Sequence, residues 1–135
     1  MIGVLIFPDF QLLDAAGPIS VFEIAARLSK ATPAIKTLAA TPSAVRSTSG
    51  VEMLARGLKP SSAITTLIIA GGEGVRAASA CPKTLAFVRA VAKRGVRVAS
   101  VCSGAHEGQR LRAGRRRSHA LAAGNDQGRD RAGRF

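Results

Sequence analysis

The chain has 135 residues, with 20 Lys and Arg against 8 Asp and Glu, two His, two Cys, five Phe and neither Trp nor Tyr. That length allows one domain, which can bury roughly two-thirds of its unfolded surface. Apolar residues make up 47% and charged residues 21%, which excludes compositional disorder of the whole chain, and there is no run of about 18 apolar residues to span a bilayer.

The first segment, Ile2-Gly3-Val4-Leu5-Ile6-Phe7, is a nearly continuous apolar run ended by Pro8-Asp9, the pattern of a central strand covered on both faces. It lacks the basic start and small-residue cleavage site of a secretory signal, so the chain reads as cytoplasmic and its cysteines as thiols rather than a disulfide framework. After a loop through Leu13-Asp14, Gly17-Pro18 is expected to open a helix, because proline suits a first turn where its missing N–H is not needed. Val21, Phe22, Ala25 and Leu28 would form the buried stripe of that helix.

Ile35–Ala40 is a second strand candidate, and Thr48-Ser49-Gly50-Val51 reads as the turn into a short strand or hairpin. Thr66–Ala70 is a third buried strand, halted by Gly71-Gly72-Glu73-Gly74. Cys81–Arg94 has a helical period with Leu85, Val88, Val91 and Ala92 inward and Gly95 at its end. Val96–Val101 is the last clear strand. Strands alternating with helices in this way predict an α/β sandwich with a largely parallel sheet.

In such sheets the chemistry gathers at the carboxyl ends of the strands. Asp14, the Gly71–Gly74 loop and Cys102 all fall at such ends. Cys102 follows an apolar strand and precedes Ser103-Gly104-Ala105; with a helix after it, this is a nucleophile elbow, and a helix amino end favours a thiolate. The plainer alternative is a cysteine packed as a small hydrophobe. Cys81, before Pro82 at a helix start, reads as structural. Asp14, among apolar and small residues, sits where a carboxyl can share a proton with a thiol; the alternative is a helix cap or turn former. The glycine loop can offer N–H groups to an oxyanion or carboxylate, but it lacks the Lys-Ser/Thr of a phosphate loop and the full dinucleotide fingerprint.

Residues 1–105 carry 12 basic and 5 acidic residues, whereas residues 106–135 carry 8 and 3, the basic ones all Arg. The expectation is a folded body over 1–105 and a poorly ordered Arg/Gly-rich tail over 106–135. The Arg110–Arg117 run has the charge to bind nucleic acid but no aromatic interleaving, so a solvated segment is the competing reading.

Taken together, Ile2–Pro8, Leu13-Asp14-Ala15-Ala16-Gly17-Pro18 with Val21-Phe22-Glu23, Leu67–Gly72 and Val98–Ala105 resemble the DJ-1/PfpI superfamily, flavodoxin-like domains related to class I glutamine amidotransferases. The resemblance covers residues 1–105. It is greatest to the amino-terminal ligand-binding domain of AraC-type regulators, with isonitrile hydratases, which share Leu-Asp-x-x-Gly-Pro and the cysteine elbow, next.

The resemblance implies a small-molecule pocket with Cys102 as nucleophile and Asp14 as its acidic partner. Backbone N–H groups at Gly71, Gly72 and Ser103 would stabilise an anion. It also implies a homodimer, no cofactor, no metal, no membrane contact, and DNA contacted only through a carboxyl-terminal domain beyond this chain. Ser103 stands where protease-like members have His, which argues against peptidase chemistry. After Ala105 the family continues with an apolar helix and a Thr-His-Trp segment, whereas this chain reads His106-Glu107-Gly108-Gln109-Arg110. Truncation or a frameshift after the elbow is therefore expected: Ser118-His119-Ala120-Leu121 can be encoded so that a one-base shift reads His-Thr-His-Trp.

Overall fold

A computed structural model describes residues 1–29, 34–59 and 62–102. The apolar run at the amino terminus forms β1 (Ile2–Leu5), every residue of which is buried. The chain continues through α1 (Leu12–Ser29), β2 (Ile35–Ala39), β3 (Ala44–Arg46), β4 (Glu52–Leu54), β5 (Arg56–Gly57), β6 (Thr66–Ile69), α2 (Val75–Ala80), α3 (Pro82–Lys93) and β7 (Arg97–Ser100). Five strands pair in parallel in the order β5-β2-β1-β6-β7, so β1 is central as its sequence requires. β3 and β4 form the expected hairpin, with Gly50 at φ 85° in its turn.

From β1 the chain steps one way to β2 through α1, and from β6 the other way to β7 through α2 and α3. Right-handed crossovers therefore place these helices on opposite faces of the sheet. The result is a flavodoxin-like three-layer α/β arrangement. Val4, Ile6, Phe10, Leu67, Ile69, Val88 and Val91 are sealed from solvent in its core.

Several details differ from the sequence expectations. Helix α1 starts at Leu12 rather than at Gly17-Pro18, so Pro18 lies inside the helix. Ala15 is fully buried and Asp14 bonds across to the sheet, and these anchors hold the first turn despite the roughly 3 kcal/mol that an interior proline costs. Nor does the predicted stripe on α1 reach the core: Val21 is 63% and Leu28 82% exposed, Ala25 is exposed and Phe22 half-buried. Burial on this helix is confined to Asp14 and Ala15, next to the sheet edge.

On α3 the inward residues are Thr84, Phe87, Val88 and Val91, while Leu85 is half-buried and Ala92 faces solvent. Gly95 closes the helix at φ 76°, as expected, with its N–H donating to the Ala92 carbonyl at 3.0 Å. The short α2 and the two-residue β5 were not expected. The proposed tail, the Arg110–Arg117 run and the segment compared in two reading frames all lie outside the described residues.

Candidate functional site

The turn after β1 begins with Pro8 and with Asp9 at φ 61°, a left-handed conformation that Asp tolerates better than most residues. It delivers Phe10, fully buried, between Ser47 and Gly72, with a backbone bridge to each. Gln11 N–H donates to the Gly71 carbonyl at 2.8 Å, and Asp14 N–H donates to the Gln11 carbonyl at 3.0 Å. The start of α1 is thereby fastened to the end of β6. Asp14, only 8% exposed, completes the junction: its Oδ2 accepts the Gly71 N–H at 3.0 Å.

The glycine loop is shaped by this same junction. Gly72 has φ 127°, and a Cβ there would fall 2.5 Å from the Gln11 nitrogen and 2.6 Å from the Asp9 oxygen. At Gly74 a Cβ would fall 1.9 Å from the Pro8 carbonyl oxygen. Close backbone approach of residues 8–11 is thus what requires these glycines. The Gly71 N–H, expected as an anion donor, here holds the Asp14 carboxylate.

Register fixes where Cys102 stands. Leu5 pairs with Ile69, and Ile69 with Ser100. Val101 N–H extends the ladder by donating to the Ile69 carbonyl at 3.0 Å. Two residues past the last pair, Gly71 and Cys102 stand level at the carboxyl ends of neighbouring strands. Cys102 is exposed and has φ 54°, the strained conformation of a residue at a sharp turn out of a strand. Asp14, Gly71, Gly72 and Cys102 thus occupy one edge of the sheet, whereas Ser103 and any helix after it lie outside the described residues.

Sequence reasoning set Cys81 aside as structural, and the structure gives it a chemical environment. It occupies the N-cap position of α3. The Thr84 N–H and then its hydroxyl hold the thiol below the usual value; burial opposes them, and the Lys83 N–H and the charge of its ammonium add lesser lowering effects. The signal was present as Cys-Pro-Lys-Thr, a thiol followed two and three residues later by a cation and a hydroxyl. A separate open groove of about 370 Å³ lies beside α3, lined by Ala40, Leu58, Lys83, Ala86, Phe87 and Ala90. It shares no residue with the Asp14–Cys102 edge.

Comparison with known proteins agrees with this architecture. The family model for the DJ-1/PfpI family matches residues 1–115. An uncharacterized protein in the cpoL 5' region of Streptomyces lividans is 36% identical over 103 residues, covering 76% of this chain and 72% of that protein. Among solved structures, a THiJ/PfpI family protein from Pseudomonas syringae superposes with a TM-score of 0.71 at 27% identity. That match covers 82% of this chain and 45% of the other, so the chain spans under half of that protein's length. An AraC family transcriptional regulator from Pseudomonas putida superposes with a TM-score of 0.65 at 18% identity, covering 81% of this chain and 68% of the regulator.

Proposed function

The chain belongs to the DJ-1/PfpI family, and from that premise we propose that it is the ligand-sensing domain of an AraC-type transcription regulator. Its ligand is a small molecule bound at the carboxyl edge of the sheet. The observation that carries the reading is the buried Asp14 carboxylate, held by Gly71 and standing at the strand edge that also carries Cys102. In this reading Cys102 is the nucleophilic contact, Asp14 its proton partner, and the backbone at Gly72 and Ser103 receives an anionic group. The resemblance of residues 1–105, greatest to AraC-type sensors, supports a sensor, and Ser103 after the cysteine argues against peptidase chemistry. Sequence-specific DNA readout would come from a domain beyond this chain, whatever backbone contacts this domain adds, and the working compartment is the cytoplasm.

Members of the family commonly bind small molecules and dimerise. A homodimer through α1 accounts for Val21, Ile24 and Leu28, which lie three and four residues apart on the helix and are 63%, 55% and 82% exposed. No helix among the described residues is long and apolar enough to cross a membrane.

The second reading is a cysteine-dependent enzyme, such as an isonitrile hydratase, with Cys102 as nucleophile and Asp14 as acid or base. The left-handed backbone at Cys102 favours it, because a strained elbow presents a nucleophile. A panel of isonitriles and reactive carbonyls, assayed in parallel for thermal stabilisation and for turnover, separates the two. A sensor gives a Tm shift that Asp14→Asn removes, with no product formed. Steady product formation that Cys102→Ala abolishes gives the enzyme, and neither response contradicts both readings.

A further inference from the structure

We propose that the amino edge of the sheet, around Arg89, Lys93 and Arg97, is a phosphate-contacting surface for duplex DNA, separate from the carboxyl-edge pocket and independent of its ligand. From Gly74 to His106 the sequence has six basic residues, Arg76, Lys83, Arg89, Lys93, Arg94 and Arg97, and no Asp or Glu. α3 runs back from the carboxyl edge to the amino edge, where Lys93 is its last residue and Arg94 its cap. Arg97 opens β7 level with Thr66, at the same edge. Arg89, Lys93 and Arg97 are all exposed.

The fold sorts its acidic residues away from this edge. Asp9 and Glu73 lie in the loops, and Asp14 in the first turn of α1, at the carboxyl edge. Glu52 stands opposite Arg46 in the hairpin, and Glu23 bonds to Arg27 on α1, across the sheet. None of Arg89, Lys93 and Arg97 therefore has a carboxylate partner among the described residues. A cation at a helix carboxyl end is favoured by the helix dipole, which explains Lys93 and Arg94. It does not explain Arg89, a turn earlier, where the like charge of Lys93 at i+4 disfavours the helix, nor Arg97 on the strand.

Duplex DNA fits this surface better than other polyanions. Single strands are held by stacking on aromatic side chains, and here Phe7, Phe10 and Phe87 are buried and Phe22 lies on the other face. Around the cations the exposed side chains of α3 are Ala86 and Ala92, too small to insert into a membrane or to anchor a protein partner. What remains are exposed guanidinium and ammonium groups on the last turns of α3 and the start of β7, suited to phosphates along a duplex.

The test uses the full chain and a fluorescein-labelled random 20-base-pair duplex, with affinity measured by anisotropy across 50–200 mM salt. Arg89→Gln/Lys93→Gln/Arg97→Gln is expected to flatten the slope of log K against log salt by about 3, at about 0.9 per phosphate contact. Arg56→Gln/Lys59→Gln/Arg76→Gln removes the same charge elsewhere and is expected to change the slope by less than about 1. If the first triple variant loses its circular dichroism spectrum, the single Arg89→Gln, at an exposed position of α3, is expected to flatten the slope by about 1. An unchanged slope assigns DNA binding to residues 106–135 and overturns the proposal. Equal effects of the two triples, or binding only to phosphatidylserine vesicles or to polyglutamate, overturn it as well.

Discussion

The Asp14 carboxylate and the Gly71 N–H, 57 residues apart in sequence, meet at 3.0 Å in a buried contact. This bond joins the first turn of α1 to the end of β6 and fixes the only carboxylate buried among the described residues. Removing the acceptor strands a buried N–H. Asp14→Ala is therefore expected to lower unfolding stability by about 1–3 kcal/mol, whereas Asp14→Asn, which keeps an oxygen, costs less. Urea unfolding of the two variants checks this, and equal losses would show that Gly71 gains nothing from the contact.

The glycine loop gives a second, steric prediction. Gly74→Ala places a Cβ 1.9 Å from the Pro8 carbonyl oxygen, a backbone atom that cannot swing aside. Gly72→Ala adds a φ of 127° to a 2.5 Å clash. Each is expected to destabilise by about 3 kcal/mol or more, at the upper end of single substitutions. Thermal unfolding within a few degrees of the parent would contradict the tight packing of residues 8–11 on this loop.

Cys81 predicts a pH dependence with a definite sign. Its thiol is held below the ordinary value of 9.0 by the Thr84 donors, so the folded state favours the thiolate. A depressed acid contributes stability that is fully present above its unfolded value and is lost as pH falls through its folded value. The stability of the parent relative to Cys81→Ala should therefore rise as pH increases from 7 toward 9. A difference that is flat over this range would contradict the effect of Thr84 on this thiol.

Dimerisation through α1 is testable by sedimentation. Val21→Glu/Leu28→Glu changes two exposed side chains and should leave the fold intact while converting a dimer to a monomer. A parent that is already monomeric at micromolar concentration would contradict the proposed interface.

Sequence reading succeeded where a pattern is local. β1, β2, β6 and β7 are apolar runs bounded by turn residues, and Gly95 marks the end of α3 by needing a positive φ. It failed where tertiary contacts decide. Leu12–Gly17 is helical because Ala15 and Asp14 are anchored to the sheet, and no proline rule could show that. Val21, Ile24 and Leu28 have a burial pattern, but the sheet does not meet them. Asp14, Gly71, Gly72 and Cys102 were identified as edge residues from strand ends alone, yet the bond that occupies Gly71 depends on register. Cys81 does stand at a helix start as its sequence indicates, but the effect of Thr84 on its thiol depends on how the first turn of α3 is placed.

The measurement that tests the account most directly is site-resolved alkylation of Cys102 by iodoacetamide at neutral pH, in a Cys81→Ser background, with and without Asp14→Asn. A functional carboxyl-edge pocket predicts that Cys102 reacts at least about tenfold faster in the folded protein than in urea and that Asp14→Asn removes most of this gain. Equal rates in the folded and unfolded chains, indifferent to Asp14, would contradict the pairing of these two residues and with it the proposed site.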